Sequence, residues 1–204
     1  MIAIINYGLG NVKAIYSVYK NLNVDVIIAS QKDDLVNIDK IILPGVGSFD
    51  YAMSCLKNSS MSDQIMELVL IKKKKILGIC VGMQMFSESS EEGSVKGLGW
   101  IKSSVKKIPS IHSGRNLSLP HMGWNNLSKI KKNKLFKNLD EKSIFYFLHS
   151  YYFDAENEAD VMAYTDYGNI FPCAVNVENI YGVQFHPEKS HENGTTILKN
   201  FSEL

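Results

Sequence analysis

A cysteine with glycines on both sides stands at a predicted joint between a strand and a helix. Residues 78–84 read Gly-Ile-Cys-Val-Gly-Met-Gln and continue an apolar run that is typical of a buried strand. This is the pattern of a nucleophile elbow, in which glycine supplies the space that a sharp turn lacks. The N–H groups and dipole of a following helix favour a thiolate. Cys80 is therefore a candidate nucleophile; the alternative is a tight turn around a buried, inert cysteine.

A base and an orienting acid for such a thiolate follow another apolar run. Residues 186–188 read His-Pro-Glu. Because functional groups gather at the carboxyl ends of the strands in an open parallel sheet, we expect His186 near Cys80. Pro187 favours an extended conformation at His186, and Glu188 can then accept from the far imidazole nitrogen and fix the tautomer. The alternative for this segment alone is a capped loop.

A glycine-containing turn after a third strand completes the candidate site. Residues 43–48 read Leu-Pro-Gly-Val-Gly-Ser. Two glycines allow the backbone to present N–H groups to a developing negative charge, and the N–H of Val81 is the matching second donor of an oxyanion hole. A plain turn between strand and helix remains the alternative for this segment.

The elements that must position these residues form two patterns. In the first half, short apolar runs alternate with amphipathic segments, which predicts an α/β fold with an open, mainly parallel sheet and helices on both faces. The predicted strands there are residues 2–6, 24–29, 40–43 and 76–79, and the predicted helices are residues 12–19, 48–56 and 62–71.

The second half predicts an added small antiparallel β region. Its β-like segments are short and separated by turn residues, and a last helix over residues 194–201 closes the chain. We find no linker or repeat, so we predict a single domain over residues 1–204. The β-like segments are residues 100–105, 144–148, 161–164, 173–177 and 181–185.

Composition excludes several classes of function. The net charge is +1, which does not favour nucleic acid or an acidic membrane, and the lysine run 72–75 is interpreted as the solvated end of a helix. The apolar N-terminus is too short for a signal peptide or a membrane span. Three scattered cysteines favour a reducing, cytoplasmic location. His121, His149 and His191 lack metal-ligand spacing, so we expect no metal and no cofactor.

With these motifs, the chain resembles the class I (triad-type) glutamine amidotransferases, which have a flavodoxin-like fold. The general resemblance rests on residues 78–84 and 184–188, and every catalytic position is matched. A narrower resemblance, to the glutaminase subunits of imidazole glycerol phosphate synthases, rests on segments in family order along nearly the whole chain. These segments are residues 6–11, 43–47, 90–93, 120–125, 147–152 and 187–190.

The resemblance implies a Cys-His-Glu triad. Cys80 would attack the carboxamide carbon of glutamine and form a γ-glutamyl thioester; His186, oriented by Glu188, would protonate the departing ammonia and later activate water. The backbone N–H groups of Val81 and, after rearrangement, Val46 would hold the oxyanion. From the residues alone, Gln84 reads as a helix-surface residue and Glu92 as a solvated acid. By family analogy, however, the glutamine head is held by Gly47, Gln84, Glu92, Ser150 and Tyr151.

The resemblance also implies a partner. Free ammonia is mostly protonated at neutral pH, so glutaminases of this family send it through a channel to a synthase. The expected partner is a (β/α)8-barrel cyclase that makes imidazole glycerol phosphate and an aminoimidazole carboxamide ribonucleotide in histidine biosynthesis. Trp124 can alternatively be read as a half-buried core aromatic. The positions that match the partner interface are Asn11, Trp124, Tyr146 and Lys189.

Two other functions remain open at this point. The same glutaminase chemistry serves, in some bacteria, a paralogous pair that aminates a precursor of a cell-surface sugar. A non-catalytic module on the same fold, with Cys80 as a redox sensor, is the alternative from another class.

Overall fold

A seven-stranded sheet forms the centre of the protein in a computed structural model that describes residues 1–112 and 115–204. The order in this sheet is β12-β13-β14-β4-β3-β1-β2. All strands of the described chain are, in chain order, β1 (Ile2–Ile5), β2 (Val26–Ala29), β3 (Lys40–Gly45), β4 (Lys75–Cys80), β5 (Ser89–Ser90), β6 (Ser103–Lys107), β7 (Ile111–His112), β8 (Arg115–Asn116), β9 (His121–Asn126), β10 (Ile144–His149), β11 (Tyr151–Ala155), β12 (Val161–Tyr167), β13 (Asn169–Val177) and β14 (Ile180–Val183).

Parallel pairing brings the carboxyl ends of β3, β4 and β14 together at the same end of this sheet. β14, β4, β3, β1 and β2 are parallel, and only β12 and β13 at one edge are antiparallel. In the register, Cys80 pairs with Gly45 of β3, and Val183 of β14 pairs with Ile79. Because β4 has neighbours on both sides and helices on both faces, its apolar run is almost entirely buried. The prediction of a mainly parallel sheet is confirmed.

The helices cover both faces of the sheet. The connection β1-α1-β2 and the connection from β3 through α2 and α3 to β4 step in opposite directions, so right-handed crossovers place them on opposite faces. Accordingly, α1 packs with α5, whereas α2 packs with α3 and α4. The helices are α1 (Val12–Asn21), α2 (Phe49–Asn58), α3 (Ser62–Met66), α4 (Val81–Gln84) and α5 (His191–Glu203), and the π-helical turn Glu67–Ile71 follows α3.

Smaller sheets from the second half confirm the added β region. β9 and β10 form an antiparallel pair, β11 pairs antiparallel with β6, and β5 adds to β6. The predicted strand over residues 100–105 begins only at Ser103, because Trp100 instead stacks on Phe86 with ring centroids 5.3 Å apart. β9 and β11 were not predicted as strands, and α5 begins three residues before the predicted position.

The lysine run after α3 is paired with acids on the protein surface. Lys72 contacts Glu67 at 2.8 Å, and Lys73 contacts Glu178 at 2.9 Å. These exposed pairs agree with the interpretation of the run as a solvated helix end. No helix in the described part of the chain is long and apolar enough to cross a membrane.

Candidate active site

Cys80 lies on a strained turn between β4 and α4. Its backbone has φ 56° and ψ −116°, a region that residues other than glycine rarely adopt. A Cβ atom on Gly82 would overlap the carbonyl oxygen of Leu43, and one on Gly78 would lie 2.6 Å from the ring of Phe86. Both positions therefore require glycine, as the elbow pattern predicted, and the turn lifts the Cys80 side chain above the sheet.

The helix that follows Cys80 is only one turn long. After Gln84 the chain turns away, and the N–H of Leu98 donates to the carbonyl of Met85 at 2.8 Å. A single turn has few aligned peptide dipoles, so its macrodipole contributes less than the sequence pattern suggested. Side chains around the sulfur must supply most of the stabilisation of a thiolate.

His186 and Glu188 supply a charged partner for Cys80. The imidazole Nδ1 lies 3.0 Å from Oε1 of Glu188, and both side chains are buried. Burial disfavours the imidazolium, but the charge of the Cys80 thiolate, a hydrogen bond to it and the Glu188 carboxylate together raise the pKa of His186 to about 10. At neutral pH the site can therefore hold an imidazolium beside the sulfur. Such a pair is the activated form of a cysteine nucleophile.

The loop that carries His186 is fixed to β10. The backbone N–H of His186 donates to the carbonyl of Tyr146 at 2.9 Å. The buried Ser190 hydroxyl donates to the carbonyl of His186 at 2.6 Å and accepts from the N–H of Tyr146 at 2.9 Å. These three hydrogen bonds tie the backbone of His186 to β10.

A cavity of about 360 Å³ opens beside Cys80 and collects most of the predicted site residues. Trp124 and Tyr146 are not part of its lining and lie on the neighbouring β9–β10 pair. The predicted residues that line the cavity are Asn11, Val46, Gly47, Cys80, Val81, Gln84, Glu92, Ser150, Tyr151, His186, Glu188 and Lys189.

Two of the cavity residues have environments that the residue letters alone did not predict. Gln84 is buried, not a helix-surface residue, and its amide NH2 group donates to the carbonyl of Tyr151 and to Oε1 of Gln184, both at 2.9 Å. Glu92 is not simply a solvated acid, because its Oε2 accepts from the N–H of Phe49 at 2.8 Å at the start of α2. A carboxylate at this position stabilises the helix N-terminus and still faces the cavity.

Sequence reasoning assigned no role in the site to two further residues, Gln184 and Tyr7, although both lie in segments that carry the resemblance. Gln184 is fully buried, and its Nε2 lies 3.6 Å from the Cys80 sulfur. The available signal was its position two residues before His186, in the run 181–185 that the sequence predicts as a strand, because alternate side chains of a strand share a face. Tyr7 donates its hydroxyl to the carbonyl of Pro44 at 2.8 Å, and burial, followed by the nearby cysteines, raises its pKa.

The buried histidines outside the triad form a structural chain. His149 Nδ1 lies 2.8 Å from the Tyr151 carbonyl, which only accepts, so this nitrogen carries hydrogen and Nε2 accepts from His121 Nδ1 at 3.0 Å. Nε2 of His121 then accepts from Asn125 at 3.2 Å. Burial lowers the pKa of His121 to about 4 and that of His149 to about 3. No group of side chains suited to hold a metal ion occurs in residues 1–112 and 115–204.

An exposed apolar face lies next to the cavity. Alternation along β9 and β10 brings five side chains to one side, and Trp124, read alternatively as a core residue, is 45% exposed. Lys189 lies 5.4 Å above the ring of Tyr146, and Leu148 belongs both to this face and to the cavity lining. We define the β9–β10 face as Met122, Trp124, Ile144, Tyr146 and Leu148.

Solved structures with this fold include known glutamine amidotransferases. A crystal structure of a glutamine amidotransferase has a TM-score of 0.73 at 16% identity and covers 100% of this chain and 99% of its own. A glutamine amidotransferase from Thermotoga maritima has a TM-score of 0.65 at 17% identity and covers 99% of this chain and 82% of its own. At these identities the likeness concerns the fold alone.

Sequence relatives give a finer placement. "Imidazole glycerol phosphate synthase subunit HisH" from Leptospira borgpetersenii is 50% identical, and the protein of that name from Bdellovibrio bacteriovorus is 48% identical; each covers 100% of both chains. "Imidazole glycerol phosphate synthase subunit HisH 2" from Pseudomonas aeruginosa is 39% identical with the same coverage. The family described as "Glutamine amidotransferase class-I" matches residues 3–203. The chain therefore belongs to the class-I glutamine amidotransferase family and, within it, groups with the HisH proteins.

Proposed function

We propose that this chain is the glutaminase subunit of an imidazole glycerol phosphate synthase, a single amidotransferase domain over residues 1–204 that acts in histidine biosynthesis in the cytoplasm. The names of relatives near 50% identity support the pathway. The observation that carries the chemistry is the meeting of Cys80, His186 and Glu188 in one cavity, with the buried imidazole held by the carboxylate. Unpaired cysteines at positions 55, 80 and 173 fit a reducing compartment.

The proposed reaction begins with attack of the Cys80 thiolate on the carboxamide carbon of glutamine. Backbone N–H groups of Val81 and Val46 stabilise the oxyanion, and the imidazolium of His186 gives its proton to the leaving nitrogen, so ammonia departs and a γ-glutamyl thioester remains. His186, now neutral, takes a proton from water, which attacks the thioester. Glutamate leaves and the thiolate–imidazolium pair returns, with Glu188 orienting the ring throughout.

Polar groups of the cavity suit the head of a glutamine molecule. The Glu92 carboxylate suits the α-ammonium group of glutamine by charge, and the hydrogen bond that it accepts from the N–H of Phe49 fixes its position. Gln84 is immobilised through its NH2 group, so its carbonyl oxygen has a defined direction. With the backbone of Gly47 and of Ser150 and Tyr151, these groups form the proposed glutamine-binding site.

The β9–β10 face is the proposed contact surface for a (β/α)8-barrel cyclase. Exposed apolar side chains next to a cavity are typical of a protein interface. Because Leu148 and Lys189 line both the cavity and its border with this face, ammonia leaving Cys80 has a short path to a partner bound there. Asn11, which also lines the cavity, would contact the same partner.

The glutaminase activity of the chain tests this proposal. We expect slow hydrolysis of glutamine by the isolated chain and a large increase when the co-purified cyclase and its ribonucleotide ligand are added. A Cys80→Ala variant should bind the cyclase but hydrolyse no glutamine. Full activity of the isolated chain, or activity of the Cys80→Ala complex, would argue against the proposal.

The related sugar-aminating function is the second candidate. One relative carries the name HisH 2, which is consistent with more than one such subunit in an organism. Neighbouring histidine genes support the first function, and neighbouring polysaccharide genes the second. The redox-sensor hypothesis predicts instead that Cys80→Ser leaves glutamine hydrolysis in the complex unchanged.

A further inference from the structure

We propose that Gln184 is a positioning residue that donates a hydrogen bond to the Cys80 thiolate and holds the sulfur for attack. This inference rests on the proposed role of Cys80 as the nucleophile. The segment that follows β14 thus supplies two groups to the sulfur, an acid–base group at His186 and a neutral donor two residues before it.

The hydrogen bond between Gln184 and Cys80 is buried, and Gln184 is its donor. Gln184 follows β14, its side chain is fully buried, and Nε2 lies 3.6 Å from the Cys80 sulfur, within the range of an N–H···S hydrogen bond. The carbonyl of Leu148, 3.8 Å from the same sulfur, can accept from a thiol. The sulfur therefore has an acceptor for the protonated form and a donor for the charged form.

The orientation of the Gln184 amide follows from its neighbours. The Tyr151 carbonyl can only accept, so it fixes the NH2 group of Gln84 toward itself. The same NH2 group lies 2.9 Å from Gln184, which must present its oxygen there. Its own NH2 group consequently points to Cys80. The chain Tyr151–Gln84–Gln184–Cys80 leaves the donor no other orientation that satisfies these hydrogen bonds.

A donor held in this way favours the thiolate. Hydrogen bonds to a charged acceptor are stronger than those to a neutral one, and burial increases the difference because no water competes. As the thioester forms, the sulfur loses its charge and the bond weakens without any movement of the amide. Gln184 thus stabilises the reactive state of the sulfur together with His186, while α4 is too short to contribute much.

Alkylation of Cys80 as a function of pH tests this role without glutamine or a partner. Iodoacetamide reacts with the thiolate, and peptide mass spectrometry reads Cys80 separately from Cys55 and Cys173. The fully buried Cys173 reports any unfolding. The variants are Gln184→Met, which removes the donor at similar length, and Gln184→Glu, which keeps the acceptor for Gln84 but removes the donor. Asn200→Leu removes another buried amide donor far from the site and is the matched control.

We expect alkylation of Cys80 near pH 7 to be about tenfold slower in Gln184→Met, with the pH profile moved to higher pH, since a hydrogen bond to a charged group is worth about one order of magnitude or more. Gln184→Glu should be slower still, and Asn200→Leu unchanged. An unchanged Cys80 profile in both Gln184 variants, with Cys173 protected, would overturn the role.

If Cys173 becomes reactive in Gln184→Met, the Gln184→Asn variant is used in its place. The Asn amide is one methylene too short to reach the sulfur, so this variant must show the same slowing of Cys80 alkylation. Failure of the proposed glutaminase function is a separate result, because it would appear as glutamine hydrolysis by the Cys80→Ala complex and would leave the alkylation profiles as they are.

Discussion

The backbone N–H of His186 donates to the carbonyl oxygen of Tyr146 at 2.9 Å, so the strand that presents the β9–β10 face also holds the proposed catalytic histidine. Tyr146 is a residue of that face, and Lys189 of the histidine loop lies over its ring. A partner that contacts Tyr146 therefore acts within one hydrogen bond of the triad. This contact is a physical route by which binding of the proposed cyclase would change the proposed glutaminase activity.

Ser190 is expected to be essential for this link. Ser190→Ala removes the hydroxyl that bridges the Tyr146 N–H and the His186 carbonyl in a buried position. Leaving these groups unpaired should lower the free energy of unfolding by about 1–3 kcal/mol and reduce the activity of the complex. Urea denaturation and a glutaminase assay measure the two effects. Ser202→Ala, which removes a hydroxyl from the end of α5, the helix that follows Ser190, should change neither; equal losses in both variants would contradict the prediction.

Replacement of Glu188 should uncouple the histidine from Cys80. Glu188→Gln removes the carboxylate that accepts from His186 Nδ1 at 3.0 Å, so the pKa of His186 falls and the ring loses its fixed tautomer. We expect kcat of the complex to fall by on the order of a hundredfold or more, with a smaller change in KM. Glu192→Gln, an exposed acid of α5, is the matched control. A Glu188→Gln complex with near-normal kcat would remove the glutamate from the triad.

The buried pair His121 and His149 should make the protein sensitive to mild acid. Burial lowers their pKa values to about 4 and about 3, below the usual 6.5, so the unfolded chain binds more protons as pH falls. The contribution of this pair to the free energy of unfolding is fully present above pH 6.5 and is lost progressively as the pH falls toward 4. His186 has a raised pKa with the opposite sign: its contribution is present below 6.5 and is lost as pH rises through about 10.

Urea midpoints between pH 8 and pH 5 measure this acid sensitivity, because most carboxylates remain ionised there. A double variant, His121→Phe with His149→Leu, should show a flatter dependence than the original chain. An identical slope in both chains would mean that the histidine pair does not cause the loss.

The β9–β10 face should determine binding of the cyclase. Met122 is 64% exposed at its edge, and Met122→Glu places a charge where an apolar contact is proposed. We expect the dissociation constant to rise on the order of tenfold or more. Ile71→Glu introduces the same charge at an apolar position outside the face that is 77% exposed, and it should leave binding unchanged. Titration calorimetry measures the dissociation constants of both variants. Equal values would mean that the β9–β10 face is not the interface with the cyclase.

The sequence alone determined the class of fold and was enough to predict the chemistry proposed for the site. Glycine at positions 78 and 82, the cysteine between them and the His-Pro-Glu segment are local patterns, and local patterns are encoded by adjacent residues. Apolar periodicity likewise predicted β1 to β4 and β14, because buried parallel strands are continuous apolar runs.

Only the tertiary structure decided how these pieces interact. Gln184 donates to Cys80, Gln84 is buried and not on a surface, and Tyr146 holds His186, and each contact joins residues distant in sequence through strand order and register. The sequence therefore predicted His186 and Glu188 as neighbours of Cys80, but not its contacts with Gln184 and with the carbonyl of Leu148. The burial of Cys80, the amide of Gln184 after β14 and the carbonyl of Leu148 on β10 come together only in the folded chain, and spacing along the sequence does not specify them.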